Sequence, residues 1–131
     1  MKDFESLNVL VVEDDVVTQF LTQKTLSEAK IAHSLVDRGE KAIEALKTKK
    51  FNCVLMDIVM PGEDGMNTVR WIRDSEDEYF KKLPIFALTS FSSEEHTKEI
   101  MEAGLNGHLV KPLIIEAFKK LYTEFQGSLK P

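Results

Sequence analysis

The sequence predicts a doubly wound α/β fold, a five-stranded parallel sheet with helices on both faces. Five short apolar runs alternate with five helical stretches, and each run stops at a polar or turn-forming residue. The runs are too short for buried helices and have the length of strands buried in a sheet. Strict alternation of strand and helix is typical of parallel strands joined by right-handed crossovers.

Length and composition indicate one ordinary globular domain over residues 1–131. We expect its core to span about 7–125, with 126–131 as a tail or the start of a linker. The formal charge of −5 argues against direct nucleic-acid binding, because no basic stripe could neutralise phosphates. No apolar stretch approaches the ~20 residues of a membrane span, and no signal-peptide pattern opens the chain. These features predict a soluble, cytoplasmic protein without membrane insertion.

The first two strand–helix units are recognised from apolar runs and their polar flanks. Asn8–Val12 is a β-branched strand, and Asp15 is placed to cap a helix over 16–29, whose apolar residues recur near helical spacing. A short strand over 31–36 is followed by an amphipathic helix over 40–49. The lysines that end this second helix suit the negative end of its macrodipole.

The central strand over 53–56 is an unbroken apolar run that ends at Asp57. A proline and two glycines follow and predict a turn. A helix over 66–75 is predicted next, followed by a charged loop or frayed segment over 74–82 and a strand over Ile85–Thr89. A Ser-x-x-Glu capping box at 92–95 predicts the start of a helix that runs to residue 103. A strand over Gly107–Val110 and a helix over 114–125 complete the chain.

Polar side chains follow four of the predicted strands: Glu13 and Asp14 after the first, Asp57 after the third, Thr89 at the end of the fourth and Lys111 after the fifth. The carboxyl ends of parallel strands share one edge of a sheet, where open α/β sheets place their sites. Three carboxylates brought together there repel one another unless a cation lies among them. A hard divalent cation that prefers oxygen ligands, above all Mg²⁺, fits this set.

The same edge carries groups suited to phosphoryl transfer. Lys111 offers a fixed positive charge and Thr89 a hydroxyl, which can hold the oxygens of a phosphoryl group in flight. Asp57 would then be the nucleophile, whose carboxylate attacks phosphorus to give an acyl phosphate.

Four short motifs occur in order along the chain. They are Val-Leu-Val-Val-Glu-Asp-Asp at 9–15, Met-Asp-Ile-Val-Met-Pro at 56–61 with Asp64-Gly65, Ala-Leu-Thr-Ser at 87–90 and Leu-Val-Lys-Pro at 109–112. Each motif alone is weak, but all four at these spacings are highly specific. They cover essentially the whole chain and resemble the receiver domains of two-component response regulators, which have a flavodoxin-like (βα)5 fold.

The resemblance implies a phosphorylation-driven switch. Asp57 would accept a phosphoryl group from a phosphohistidine of a sensor histidine kinase or histidine phosphotransfer protein, with Thr89 and Lys111 binding the phosphoryl oxygens. The added charge would then switch a remote binding surface. The domain would catalyse its own phosphorylation and slow dephosphorylation, and would otherwise be a signalling domain rather than an enzyme. Lys111-Pro112 is a cis peptide bond in the family.

The resemblance also implies a magnesium site. Asp14 and Asp57 would bind Mg²⁺ directly, the backbone carbonyl of Val59 would contribute a further oxygen, and Glu13 would act largely through water. A glutamate at position 13, where aspartate is commoner, is similar to receivers attached to hybrid kinases.

Two departures from the common family pattern concern the aromatic switch residue and the lifetime of the aspartyl phosphate. His108 occupies the position of the usual aromatic switch residue, which swings inward together with Thr89. Val59 and Phe91, at positions that tune hydrolysis of the aspartyl phosphate, are both apolar and cannot orient an attacking water. We therefore expect a long-lived phosphoryl group.

Two other functions compete with this interpretation. A pseudo-receiver would keep the fold as an interaction module without phosphorylation, but such domains typically lose the acceptor, an acidic residue or the lysine. A haloacid-dehalogenase-like phosphatase would carry a second aspartate at the position of Val59.

The surface formed by 94–103, Gly107–Val110 and 114–125 is where receivers usually dock partners or form homodimers.

Overall fold

The computed structural model describes residues 4–57, 64–90, 98–99 and 101–128. A 3-10 turn over Phe4–Ser6 precedes the first strand, and residues 98–99 and 101–102 are helical. The other elements are β1 (Asn8–Val12), α1 (Val16–Glu28), β2 (Ala32–Val36), α2 (Gly39–Thr48), β3 (Cys53–Asp57), α3 (Asp64–Asp74), α4 (Glu78–Lys82), β4 (Ile85–Thr89), β5 (Gly107–Val110) and α5 (Ile115–Ser128).

The five strands of the described residues form one parallel sheet in the order β2-β1-β3-β4-β5. The predicted doubly wound α/β fold is therefore confirmed. The strand order reverses at β1, whose two neighbours are β2 on one side and β3 on the other. A crevice at the carboxyl ends of β1 and β3 follows from that reversal, and it is the position at which open α/β sheets bind ligands.

The core has two apolar layers, one on each face of the sheet. Every residue of β3 and β4 is buried, because helices cover both faces of these central strands. One layer packs β1, β3 and β4 against α2 and α3, through Leu10, Val54, Met56, Leu46 and Ile72. The other packs the opposite side chains of the same strands against α1 and α5, through Val11, Leu55, Phe86, Leu26 and Phe118.

The charged segment 74–82 is not only a loop, as the sequence predicted, but contains α4. Asp77 begins this helix by accepting a 2.8 Å hydrogen bond from the backbone N–H of Tyr79. The Tyr79 hydroxyl accepts from the N–H of Phe51 at 2.7 Å and donates to its carbonyl at 2.9 Å. The ring of Phe80 packs against Trp71 with centroids 5.6 Å apart. These tertiary contacts stabilise a single helical turn that local pattern did not indicate.

The final helix also differs from its predicted bounds. Residues 126–128, expected as the beginning of a tail, continue α5. The hydroxyl of Tyr122 accepts a 3.0 Å hydrogen bond from Gln126 one turn later, which supports this extension. The predicted helix over 92–103 has its capping box outside the described residues, but it stops as expected at Gly104, which adopts a φ of 105°. None of the helices in the described part of the chain combines the length and hydrophobicity needed to span a bilayer.

The guanidinium of Arg73 forms hydrogen bonds to the ends of several elements. Arg73, near the end of α3, donates to the carbonyl of Gly104 at 2.8 Å and to the side-chain oxygen of Asn106 at 2.7 Å. It also donates to the carbonyls of Phe80 and Lys81 at the end of α4, at 2.9 and 3.2 Å. A cation at helix carbonyl ends offsets the negative pole of the macrodipole. Arg73 therefore caps α4 and the helical segment that ends before Gly104.

Asn106 and Gly104, the two neighbours of the Arg73 side chain, also contribute to this contact. The Asn106 side-chain oxygen also accepts from the N–H of Ile85 at 2.9 Å, so it joins the start of β4 to the chain entering β5. Gly104 adopts a positive φ that favours glycine, and a Cβ there would also lie 3.1 Å from Cγ of Arg73, so that side chain would have to shift slightly.

We expect Arg73→Met to lower the free energy of unfolding by about 2–3 kcal/mol, because it leaves several half-buried carbonyls without their charged donor. Chemical denaturation measures this change. Arg70→Met, one turn earlier on α3, removes an exposed arginine whose one hydrogen bond in the described part of the chain is to Asn67, and it should cost less than about 0.5 kcal/mol. Equal losses in the two variants would contradict the capping role of Arg73.

Candidate functional site

The carboxyl edge of the sheet collects the predicted site residues from four strands. Glu13 and Asp14 follow β1, Asp57 and Thr89 are the last residues of β3 and β4, and Lys111 follows β5. Carboxylate oxygens of Glu13, Asp14 and Asp57 all lie within 4.8 Å of one another. The three acidic residues predicted to converge therefore do so.

Two of these carboxylates are shielded from water and one faces it. Glu13 is 0% exposed and Asp57 2%, whereas Asp14 is exposed. A cation approaching from solvent therefore meets Asp14 first, with the other two carboxylates behind it. Hard oxygen donors in this number suit a divalent cation that keeps several of its waters. The acidic cluster could thus hold a metal ion.

Lys111 supplies the positive charge within this group. Its ammonium lies 3.0 Å from Oε1 of Glu13 and 3.3 Å from Oδ2 of Asp57. Partial burial alone lowers the pKa of Lys111, but the two carboxylates outweigh it and the pKa is raised. One ammonium faces three carboxylates, so the edge would keep two negative charges with all groups ionised.

This imbalance changes the protonation of Glu13. Burial and the nearby Asp57 together raise the pKa of Glu13 to about 7, against the lowering effects of the Asp15 N–H and Lys111. The carboxyl group is therefore partly protonated at neutral pH when no cation compensates the charge. A bound divalent cation would favour the ionised form.

The loop between β1 and α1 is held in shape by short hydrogen bonds. Oε2 of Glu13 accepts from the N–H of Asp15 at 3.0 Å, while the N–H of Glu13 donates to the carbonyl of Val36 on β2. Asp15 caps α1 as predicted, its carboxylate accepting from both the N–H and the hydroxyl of Thr18 at 2.8 Å. These bonds lower the pKa of Asp15.

The β4–β5 side of the edge carries the remaining predicted residues. Thr89 is buried opposite Val110 in the strand register, and its carbonyl accepts from the N–H of Lys111 at 2.7 Å. His108 is half-buried on β5 opposite Ala87, two residues before Thr89 on β4. The peptide bond between Lys111 and Pro112 is cis in the structure. Val59, whose carbonyl was predicted as a metal ligand, and Phe91 lie outside the described residues.

The structure adds an exposed apolar face on α1 that the sequence did not single out. Phe20 is 65% exposed, and Val16, Val17 and Leu21 are also exposed, while Thr22 and Leu26 form the buried side of the helix. The near-helical spacing of these apolar residues therefore covers two faces of α1. Only the three-dimensional packing shows which one contacts the core.

A cavity joins this face to the acidic edge. Its volume is about 260 Å³, and its lining includes Lys111 and the residues Thr18, Leu21, Thr22, Ser90 and Pro112. The exposed face of α1 is therefore continuous with the site.

A family model for the response regulator receiver domain matches residues 9–123. The chain belongs to this family. The match runs from the first strand to the final helix and includes all the site residues predicted from the sequence.

Curated relatives of this receiver domain include sensor kinases from fungi and bacteria. The osmosensing histidine protein kinase SLN1 of Saccharomyces cerevisiae is 34% identical over 130 residues, which are 95% of this chain but 10% of the kinase. The sensor histidine kinase GacS of Pseudomonas protegens is 34% identical over 120 residues, or 91% of this chain and 13% of the kinase. The chain thus spans about a tenth of the length of these relatives.

Two solved receiver structures resemble this receiver over nearly its full length. One is the receiver domain of sensor histidine kinase PA1611 from Pseudomonas aeruginosa, with a magnesium ion coordinated in its active site cleft; the TM-score is 0.78, with 27% identity over 92% of this chain and 98% of that one. The other is the Saccharomyces cerevisiae Ssk1 receiver in complex with the histidine phosphotransfer protein Ypd1. Its TM-score is 0.79, with 29% identity over 95% of this chain and 91% of that one.

These matches confirm the family and the fold that the sequence predicted. The chain is a receiver domain of two-component systems, and receiver domains are signalling domains rather than classical enzymes. The pseudo-receiver and phosphatase alternatives are not favoured.

The raised pKa of Glu13 predicts how stability depends on pH without metal. Between about 4.5 and about 7 the folded protein binds this proton more tightly than the unfolded chain. The contribution of Glu13 to the free energy of unfolding should therefore fall as pH rises through this range, by on the order of 2 kcal/mol. Urea denaturation at pH 5 and pH 8 in the presence of EDTA measures the decline.

Glu13→Gln removes the titrating group and should flatten that decline, and added Mg²⁺ should oppose it in the unaltered protein. Asp37→Asn, an exposed residue paired with Lys41, serves as the control and should leave the pH dependence unchanged. A decline of the same size in Glu13→Gln would contradict the assignment to Glu13.

Proposed function

We propose that this receiver accepts a phosphoryl group from a phosphohistidine onto Asp57 in a Mg²⁺-dependent reaction. The observation that carries the proposal is the single buried carboxylate at the end of β3, with an ammonium 3.3 Å away and two further carboxylates within 4.8 Å. In this proposal a nucleophile, a cation for the phosphoryl oxygens and a set of metal ligands lie at one point, and the distances support it.

The chemistry follows from these groups. A carboxylate oxygen of Asp57 attacks phosphorus, the N–P bond of the phosphohistidine breaks, and its electron pair returns to the imidazole nitrogen. Lys111, now paired with Glu13 and Asp57, would bind a phosphoryl oxygen, and the hydroxyl of Thr89 would bind another.

Asp14 and Asp57 are the side chains that would hold Mg²⁺, with Glu13 behind them and the carbonyl of Val59 as a proposed further ligand. Bound Mg²⁺ would neutralise charge on the carboxylates and on the phosphoryl oxygens. The acidic cluster and the magnesium-bound cleft of the PA1611 receiver support this part of the proposal.

The phosphodonor is proposed to be a histidine kinase or a histidine phosphotransfer protein. Curated relatives include histidine kinases, and the Ssk1 receiver forms a complex with a phosphotransfer protein. We propose that the donor docks on the exposed apolar face of α1, because that face is continuous with the cavity beside Lys111. A protein bound there could present a histidine directly to the acidic edge.

The output of the switch is proposed to lie on the surface around β5. Exposed apolar residues occur at Met101, Val110 and Ile114, around β5 and the start of α5. This surface is the proposed site for an effector or for a homodimer, with Thr89 and His108 as the residues that transmit the change. A cytoplasmic location, where kinase domains and ATP meet, completes the proposal.

Intact mass measurement tests the phosphoacceptor. Incubation with acetyl phosphate and Mg²⁺ should add one phosphoryl group, and omission of Mg²⁺ or the substitution Asp57→Asn should abolish the adduct. Asp37→Asn is the matched control, since it removes an exposed aspartate that pairs with Lys41 and lies outside the acidic cluster, and it should be labelled normally. An adduct that persists in Asp57→Asn would refute the assignment.

The lifetime of the adduct tests the role of the two apolar positions. Because Val59 and Phe91 cannot orient a water, we expect the adduct to decay over many minutes rather than seconds once donor is removed. Val59→Asn should shorten the lifetime. A half-life of seconds in the unaltered protein would contradict this expectation.

Binding measurements test the docking face. Phe20→Ser should weaken binding to the cognate phosphotransfer domain by about tenfold or more, since a central aromatic residue commonly dominates such interfaces. Labelling of the same variant by acetyl phosphate should be unchanged. Met101→Ser, which alters an exposed apolar residue outside α1 and outside the cavity beside it, is the control. Weakening by Met101→Ser alone would place the docking face elsewhere.

A further inference from the structure

The side chain of Gln19 makes a contact that the proposed reaction does not use. Gln19 lies in the first turns of α1, and its side-chain Nε2 donates to the carbonyl oxygen of Glu13 at 2.7 Å. Its own backbone N–H donates to the carbonyl of Asp15, as in any helix. The side chain therefore reaches out of the helix to the acidic loop that precedes it.

The hydrogen bond from Gln19 to the carbonyl of Glu13 affects the orientation of Asp14. The carbonyl of Glu13 belongs to the planar peptide unit that joins Glu13 to Asp14. Fixing that oxygen fixes the orientation of the whole plane, and with it the direction in which the Asp14 side chain leaves the backbone. The N–H of Glu13 is held independently by Val36 on β2, so the peptide units on both sides of Glu13 are restrained.

Asp14 has no comparable restraint of its own. Among the described residues, its exposed carboxylate makes no hydrogen bond and no ion pair, unlike the carboxylates of Glu13 and Asp15. The backbone alone therefore decides where this carboxylate points.

We propose that Gln19 is a positioning residue, which holds the Glu13–Asp14 peptide so that Asp14 faces Asp57 as a ligand for the divalent cation. This inference rests on the proposed function, in which that cation is Mg²⁺. Groups that orient metal ligands without touching the metal commonly change its affinity by ten- to a hundredfold. Because Gln19 also belongs to α1, the docking helix and the metal loop behave as one connected unit.

The test compares Gln19→Met with Gln23→Met. Methionine keeps the length of glutamine and loses the N–H donor, and Gln23 lies one turn later on α1, half-buried and without a hydrogen bond to the loop. Isothermal titration calorimetry with Mg²⁺ alone should give a Kd about tenfold weaker for Gln19→Met. Gln23→Met should bind Mg²⁺ as the unaltered protein does.

Two further readouts separate positioning from general stability. In EDTA, the urea midpoints of the two variants should agree closely, and at saturating Mg²⁺ the Gln19→Met variant should be labelled by acetyl phosphate to the full extent. An unchanged Kd for Mg²⁺ in Gln19→Met would overturn the inference. A urea midpoint in EDTA that is clearly lower in Gln19→Met than in Gln23→Met would overturn it as well, because the weaker binding would then reflect a general loss of stability. Failure of the unaltered protein to bind Mg²⁺ would instead overturn the proposed function, and this inference with it.

Discussion

The buried carboxylates of Glu13 and Asp57, held next to the single ammonium of Lys111, are the constraint on which the rest of the site depends. Burial and mutual repulsion make this arrangement unfavourable in isolation, which the raised pKa of Glu13 reflects. Contacts of 3.0 and 3.3 Å to the ammonium offset part of the repulsion. We propose that this site accommodates a divalent cation and a phosphoryl group together, one positive and one negative.

The parallel sheet is what makes this concentration of charge possible. All of its strands end at the same edge, and the reversal of strand order beside β1 leaves a crevice there. The fully buried β3 and β4 give that edge a rigid base, while α1 borders it with an exposed apolar face. The proposed chemistry and the proposed docking face thus lie side by side, and the hydrogen bond from Gln19 to the Glu13 carbonyl connects α1 to the loop after β1.

The fold and the residues of the acidic edge could be predicted because both depend on local pattern. An apolar run followed by Asp57 is visible in the sequence, and parallel topology then brings the strand ends together. Contacts between distant segments leave no such pattern. Examples are the hydroxyl of Tyr79 on the backbone of Phe51, which supports α4, and the reach of Arg73 to Asn106. The exposure of Phe20 was likewise hidden, because apolar residues cover two faces of α1.

A crystal structure of the protein with Mn²⁺ and beryllofluoride, a stable mimic of the phosphoryl group, tests the central claim most directly. The account predicts beryllium bonded to a carboxylate oxygen of Asp57 and an anomalous manganese peak between Asp14 and Asp57. It also predicts that the ammonium of Lys111 contacts a fluorine. An acidic edge that binds neither group, or beryllofluoride bound to another carboxylate, would contradict it.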